Sequence, residues 1–584
     1  MKHPPKRGKK SQASAISLAL IVAIVALLVY WNSLSGQFVW DDETQIIKNQ
    51  TIRSFANITK AFTSSFWAFS PNYATASTNF YRPFQTLAYM LAYAAGGLSP
   101  RPFHALSVLF HVITCLGVLV LCLELEIPAM WATAGALWFA AHPVHTEAVA
   151  WIAGMPDVIC GAFYVGGLWA GIRYFNRDDR IWLGLSAVFF LCALLAKEMA
   201  ITLPVTLLLV VAVRKPEVLR DSKRLTRAGL PFVTAGAAYL VIRYLSLGVL
   251  ATSHIQIAAT WFDWLTLAVH CVVQYARYAI VPYPLVASHL IPIAFADRAA
   301  TALMSVVVLA LLVTALWLSR RLAPLIAALG ASFVVTLAPV LFFKAISTTS
   351  FFAERYLYIP TVMAAVLVAV AGSRFPQRYG KSLQIAIAAC VIAFGALTIW
   401  RNHDWNNDEK LYLSTLRYQP EVAAFRTSLA DIYLKQNDDT LARAYLESAL
   451  QFSGDKRFVQ IPFELYRTQI GLAAVFIRAG KYEEGRSHLH KALEINPQGD
   501  WAYLYLGAIA MEGPQDYAEA VRQFKRAIEL GPLNEVARDY LGAALFNQGD
   551  IGQAREQFQE SLRINPSYRD AQIHLEMANQ ALRR

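Results

Sequence analysis

Apolar residues fall in long runs from about Ile16 to Trp400, and then give way to a charged pattern of helical period that continues to the end of the chain. A helix of roughly 20 apolar residues crosses a bilayer. By that measure the pattern predicts about eleven crossings, at 15–33, 102–123, 127–141, 157–175, 181–196, 199–213, 230–246, 301–319, 322–345, 358–372 and 384–400. Two more apolar stretches, 82–98 and 262–281, read as interfacial or re-entrant helices. In the second, Asp263, His270, Gln274 and Arg277 follow spacings of 7, 4 and 3 and share one helical face. The fold class expected is all-α: a polytopic transmembrane helical domain followed by an α-solenoid.

The solenoid is read from self-similarity. LADIYLKQNDDTLARAYLESAL (429–450), LAAVFIRAGKYEEGRSHLHKALEINP (472–497), LGAIAMEGPQDYAEAVRQFKRAIELGP (506–532) and LGAALFNQGDIGQAREQFQESLRINP (541–566) align at one spacing. That spacing is about 34 residues, and with recurring small residues and the terminal prolines Pro497, Pro532 and Pro566 it resembles the tetratricopeptide repeat. Such helix pairs stack into a superhelix whose concave groove binds peptides. The expected organisation is a basic tail at 1–14 and a membrane domain at 15–400 with its first outer loop at 34–101. A linker follows at 401–422, then about four repeats at 423–568 and a capping helix at 569–584.

Composition agrees with a membrane protein: 56% of residues are hydrophobic, too many for an ordinary soluble domain. The net charge of +12 does not point to nucleic acid, because Lys and Arg cluster in short segments between apolar runs, as they do when they orient a membrane protein. The tail with Lys2, Lys6, Arg7, Lys9 and Lys10 is placed in the cytoplasm and the first run is read as an uncleaved anchor. An odd number of crossings puts the repeats outside. A bacterial plasma membrane is the expected location, with the endoplasmic reticulum membrane as the eukaryotic equivalent. The six cysteines all lie in hydrophobic segments with no CxxC spacing, and read as packing residues.

On this topology a set of ionisable residues gathers at the outer ends of the spans: Asp41, Asp42, Arg82, His142, His145, Glu147, Asp157, Lys197, Glu198, Glu354 and Arg355. Charges near hydrocarbon are costly, so they pair with one another or mark function. Three motifs carry most of them, VWDDE (39–43), AAHPVHTEAVAWIAGMPD (140–157) and FFAERYLYIP (351–360). With YRPFQTL (81–87), AKE (196–198) and the repeat array, they resemble the transmembrane, tetratricopeptide-repeat-containing O-mannosyltransferases of the GT-C superfamily. The resemblance implies transfer of a sugar, mannose, from a polyprenyl (dolichyl-type) phosphate donor to Ser or Thr hydroxyls of exported proteins, with the repeats holding the acceptor. Where that family often carries Arg-Ala-Asp after WIAG, this chain has Met155-Pro156-Asp157.

The chemistry assigns roles. An acceptor hydroxyl is a weak nucleophile and needs a base. Asp42 is read as that base and Asp41 as its orienter, at the acidic position to which the resemblance assigns catalysis. The departing phosphate needs cations. Arg355 is the first choice because guanidinium grips phosphate with two donors, and Lys197, Arg82, His142 and His145 follow. Trp151 offers a flat face to a sugar or prenyl chain, and Glu147, Asp157, Glu198 and Glu354 support the cations. A divalent cation on His142, His145 and Glu147 is the weaker alternative, since Pro143 interrupts the spacing and there is no HExxH motif. Competing readings are a non-enzymatic membrane-anchored scaffold, a transporter, or the same chemistry on a lipid or glycan acceptor.

Overall fold

The computed structural model describes residues 9–69, 80–250, 259–341, 351–455, 457–458 and 462–583. Most of the basic tail, the end of the predicted crossing 322–345 and the final residue lie outside them. Among the described residues every regular element is a helix. The chain divides into two compact units, one ending at Tyr418 and one beginning at Gln419.

The longer helices of the first unit are α1 (Lys9–Tyr30), α2 (Pro83–Gly96), α3 (Pro100–Glu124), α4 (Ala129–Ala141), α5 (Met155–Arg177), α6 (Arg180–Ala196) and α7 (Leu203–Arg214). They continue as α8 (Ser222–Leu247), α9 (Trp261–Ile280), α10 (Ala299–Leu322), α11 (Pro324–Leu341), α12 (Tyr358–Arg374), α13 (Gly380–Asn402) and α14 (Asp408–Leu416). Eight helical segments among the described residues are long and apolar enough to cross a membrane, and each answers to one of the eleven predicted crossings. The other three predicted crossings are the shorter helices α4, α6 and α7. Neither α2 nor α9 is among the eight. α9 starts with a full capping box: the Thr260 side chain accepts from the Asp263 amide while the Asp263 carboxylate accepts from the Thr260 amide.

Short breaks place the polar residues. The Asp179 side chain caps α6, which ends at Lys197 in an extended conformation (φ −158°) before a 3₁₀ turn over Glu198–Thr202. Lys197 and Glu198 therefore lie between two short helices, α6 and α7, which answer to the predicted crossings 181–196 and 199–213. α4 ends at His142, and two 3₁₀ turns and one α-helical turn carry the chain to Met155. Close packing around this excursion needs Gly135, where a Cβ would lie 2.5 Å from the Ala365 carbonyl oxygen of α12. The segment read as a linker is helical over α14 and belongs to the first unit as far as Tyr418.

Among the described residues the second unit is four helix pairs and a final helix: Ala423–Lys435 with Asp439–Ser453, Pro462–Arg478 with Tyr482–Ile495, Asp500–Glu512 with Tyr517–Leu530, Glu535–Asn547 with Ile551–Ile564, then Arg569–Arg583. Asp438, Asp516, Asn534 and Asp550 cap helices in this unit by accepting from backbone amides. The small residues noted in the sequence sit where helices of a pair touch. A Cβ on Gly542 would lie 2.5 Å from the Phe558 ring, which is buried in the core with Leu541 and Ala554.

Gly542→Ala is expected to destabilise the repeat unit by about 1–3 kcal/mol through overpacking. Gly552→Ala, on an exposed helix face whose new Cβ would meet only Asp550 Oδ1 at 3.9 Å, should be neutral or stabilise by up to about 1 kcal/mol. Urea unfolding of the full chain followed by far-UV circular dichroism separates the two.

Candidate functional site

The acidic loop after α1 is held by its own second carboxylate. Asp42 is fully buried; its Oδ2 accepts from the Val39 amide at 3.0 Å and its Oδ1 from the Ala153 amide at 2.8 Å. The loop is thereby fastened to the turn that precedes α5. Trp151 Nε1 adds a bond to the Val39 carbonyl at 3.3 Å. Burial raises the Asp42 carboxyl well above its ordinary range, against the two amide donors that favour the anion.

Asp41 differs from its neighbour. It is only partly buried, and among the described residues its side chain accepts no hydrogen bond; the one charge that steadies its anion is the Arg355 guanidinium. Desolvation outweighs that cation and lifts Asp41 to about 6. Trp40, between Val39 and Asp41, adopts φ 55°, a left-handed conformation that costs a non-glycine residue about 1–2 kcal/mol. Its amide donates to Asp408 Oδ1 at 2.7 Å, and the Gln37 amide donates to the Asn406 carbonyl at 2.9 Å. The indoles of Trp40, Trp151 and Trp405 stack in series, with centroids 5.1 and 5.6 Å apart and planes 18° and 25° from parallel.

Three cations stand beside this loop. The Arg355 amide donates to Glu147 Oε2 at 2.8 Å and its guanidinium pairs with Glu147 Oε1, while the guanidinium carbon lies 5.3 Å from the Trp151 ring and 5.0 Å from Tyr356. Lys197 Nζ reaches both oxygens of Asp157 at 2.6 and 2.7 Å and lies 4.9 Å from the Tyr356 ring. Arg82 lies 3.8 Å from Glu198, whose other oxygen meets Arg243 at 3.3 Å. Burial lowers Lys197; Asp157 opposes that, and Arg82 and Arg355 add to it, so the three cations share one field. Burial likewise raises Glu147, with Arg355 opposing. Side-chain exposure grades the pairs. Lys197 and Asp157 are 5% and 2% exposed, whereas Arg355 is 21% and Arg82 17% exposed.

The fold brings most of the predicted set to one end of the helices, but not all of it to one surface. His142 and His145 are fully buried. His142 Nε2 bonds the Ala279 carbonyl at 3.1 Å between the rings of Trp138 and Phe394, and His145 Nε2 bonds Thr361 Oγ1 at 2.8 Å beside Phe139 and Tyr358. Burial lowers His142 to about 4 and His145 well below the usual imidazole range, so both are neutral. In this arrangement they are packing residues rather than phosphate ligands. Glu354 is also buried, and binds the Val286 amide and His289 Nε2 rather than a cation of the cluster. Glu147 is taken by Arg355. Among the described residues no group of three His, Cys, Asp or Glu side chains is disposed to hold a metal ion.

Sequence reasoning missed Trp40, Trp405, Asp408 and the Gln45–Gln85–Tyr89 cluster, in which Gln45 Oε1 accepts from Gln85 at 3.0 Å and from the Tyr89 hydroxyl at 3.1 Å. The WDD and WNND strings were the available signal, since each sets an aromatic residue beside acids or amides.

Comparison with known proteins agrees with these motifs. The tetratricopeptide repeat family matches residues 400–456, 470–535 and 514–569. The chain is 31% identical over 198 residues to the protein O-mannosyl-transferase TMTC3 of Mus musculus, a match covering 33% of this chain and 21% of that protein. It is 25% identical over 489 residues to the protein O-mannosyl-transferase TMTC4 of Homo sapiens, covering 73% of this chain and 65% of that one. The chain spans about a fifth of the length of the first curated relatives it matches, 21% and 20% for the first two. Among solved structures, it is 19% identical to YrrB, described as a TPR protein with an unusual peptide-binding site, with 33% of this chain and 90% of that chain covered and a TM-score of 0.21. The resemblance to repeat-containing O-mannosyltransferases read from the motifs is thus borne out.

The amide of the left-handed Trp40 is held by Asp408. Asp408→Ala should release the indole and abolish the circular-dichroism couplet of the tryptophan stack, defined as the difference between wild type and Trp40→Phe. Asp408→Asn keeps an acceptor oxygen and should keep the couplet.

Proposed function

We propose that this chain is a membrane glycosyltransferase that moves a sugar, mannose, from a polyprenyl phosphate to the hydroxyl of Ser or Thr in exported proteins. The observation that carries the proposal is Asp41: a partly buried carboxylate without a hydrogen-bonding partner among the described residues, raised to about 6 by burial and within the field of the Arg355 guanidinium. A purely structural acid would be paired, as Asp157 is. A base working near neutral pH is most effective when its own pKa lies close by.

Asp41 is the base in this mechanism and Asp42 the anchor, the reverse of the order favoured from sequence, because both Asp42 oxygens are already engaged by amides. The acceptor oxygen gives its proton to Asp41 as it bonds to the anomeric carbon. The bond from that carbon to the phosphate oxygen breaks, and its electron pair leaves with the phosphate. Attack and departure on opposite faces invert the anomeric centre. Arg355 and Arg82, the partly exposed cations, stabilise the charge that develops on phosphate. Lys197 is closed into its pair with Asp157 and supports the site from behind. Trp40, at the open end of the stack, offers a face to the sugar or the first prenyl unit.

The topology follows from the chemistry. The carboxylate loop and the repeats lie on the side away from the cytoplasm, where an exported acceptor is found, and the repeat groove holds that acceptor. Polyprenyl phosphate keeps its tail in the bilayer, so the reaction takes place at the membrane surface.

Transfer of radiolabelled mannose from polyprenyl phosphate to a Ser/Thr peptide by the purified full chain tests the reading. Asp41→Asn should lower kcat by about 10²- to 10⁴-fold, and kcat should rise with pH through about 6 as Asp41 loses its proton. Undiminished transfer by Asp41→Asn would end the proposal. The same shift has a cost in stability. The folded chain holds the Asp41 proton more tightly than the unfolded chain, so stability is lost as pH rises from the ordinary carboxylate range to about 6. Asp41→Asn should therefore melt higher than wild type at pH 7, and the difference should vanish near pH 4. Arg355→Lys keeps the charge but not the two-donor grip, and should raise the donor KM and lower kcat together.

A further inference from the structure

A second polar site lies at the end of the last long apolar helix and shares no residue with the one described above. A cavity of about 280 Å³ opens between the end of α13, helix α14 and the loop after α9. Lys410, Leu413, Ser414 and Arg417 line it from α14 and the residue that follows it, at the spacing of one helical face. Trp400 and Asp404 line it from the end of α13, and Tyr283 and Tyr418 close the remaining side.

Its charge is one-sided. The acid in the wall, Asp404, is already matched by Arg401 behind it, which is 1% exposed and donates to Asp404 Oδ2 at 2.6 Å and towards Ser414 Oγ at 3.4 Å. Arg401 Nε and Nη2, also buried, have no hydrogen-bond acceptor among the described residues. Lys410 and Arg417 are exposed and form no ion pair among the described residues, so the wall carries two uncompensated positive charges in front of a buried third. The Tyr283 and Tyr418 hydroxyls bond each other at 2.6 Å. One of them donates to its partner, which leaves the partner's own proton for an outside acceptor. Cations and a hydroxyl donor around a small cavity are the complement of a phosphate.

The surroundings set the rest of the ligand. Trp400 is 48% exposed at the end of an apolar helix, and Ile280 and Val281, just before Tyr283 in the chain, are 73% and 55% exposed. Apolar side chains, with Leu285 and Leu413 in the lining, therefore stand beside the exposed cations Lys410 and Arg417. The volume is at the small end of ligand sites, which run from about 300 Å³, so it holds a headgroup and leaves acyl chains outside.

We propose that this cavity binds the phosphate of an anionic lipid headgroup, with Lys410 and Arg417 as its cations. Each cation near a lipid surface contributes about 1 kcal/mol, or about fivefold in affinity. The purified full chain in a neutral detergent is titrated with dihexanoyl phosphatidylglycerol below its micellar concentration. Trp400 emission is followed as the difference from the Trp400→Phe chain. A saturable change is expected, shifted about 25-fold to weaker binding in the Lys410→Gln/Arg417→Gln double variant and unshifted in Arg378→Gln, which removes a cation from a different loop. Dihexanoyl glycerol, which lacks the phosphate, should give no response. A response to glycerol 1-phosphate equal to that of the lipid would keep the phosphate site and make its source soluble. An unshifted double variant, or a dihexanoyl glycerol response equal to that of phosphatidylglycerol, would overturn the proposal; far-UV circular dichroism checks that each variant is folded.

Discussion

The first unit's polar end depends on how one buried carboxylate is satisfied. Moving an ionisable carboxyl out of water costs several kcal/mol unless hydrogen bonds replace its solvent. Asp42 obtains two, from the amides of Val39 and Ala153. Those amides belong to segments more than a hundred residues apart, so satisfying this side chain fastens the first loop onto the turn before α5. The rest follows from that fastening. Trp151 closes under the loop, Trp40 takes a left-handed turn that Asp408 holds, and the carboxylate of the next residue, Asp41, accepts no hydrogen bond among the described residues.

The neighbouring cations are arranged by the same economy of solvation. Each has one carboxylate, but the pairs differ in how far they are withdrawn from water. Lys197 and Asp157 form a closed pair, with Nζ on both carboxylate oxygens. Arg355 is partly open above Glu147, and Arg82 is held loosely by a Glu198 that also serves Arg243. An incoming anion can recruit a cation only where desolvation is incomplete. The exposure gradient, more than the number of charges, therefore divides structural pairs from groups able to meet a ligand. The Tyr356 ring is common to two of the cations, 4.9 Å from Lys197 Nζ and 5.0 Å from the Arg355 guanidinium carbon, while each keeps its own carboxylate.

Much of this was legible in the sequence for definite reasons. Apolar run length gave the long helices, and the failure of 82–98 and 262–281 to be apolar all round set α2 and α9 apart. The repeat period gave the helix pairs of the second unit, because each pair needs small residues at the same two contacts. The motifs also gave the members of the cation–carboxylate cluster. They could not give the histidines' environment. HPVH reads the same whether its rings face a cleft or the aromatic side chains of Trp138, Phe139 and Phe394, and only the packing of α4 against α12 and α13 decides that. Nor could sequence order the two aspartates, since neighbouring residues in a tight loop point in opposite directions. Asp408 and Trp405 were hidden by distance along the chain: they read as linker, and are in fact part of the first unit.

The same contrast bears on how a site of this kind persists in a membrane protein. A carboxylate that is to take a proton must be neither fully solvated, where its pKa is too low, nor fully satisfied, where its lone pairs are occupied. Two adjacent acids meet both demands if one is sacrificed to the fold. Asp42 bears the burial and the backbone hydrogen bonds, and its anchoring sets the half-dry surroundings that raise Asp41 to about 6. Removing the Asp42 carboxylate would then release the loop that keeps Asp41 near Arg355, so two neighbouring acids with unequal environments form one device, in which the buried one fixes the surroundings that set the pKa of the other.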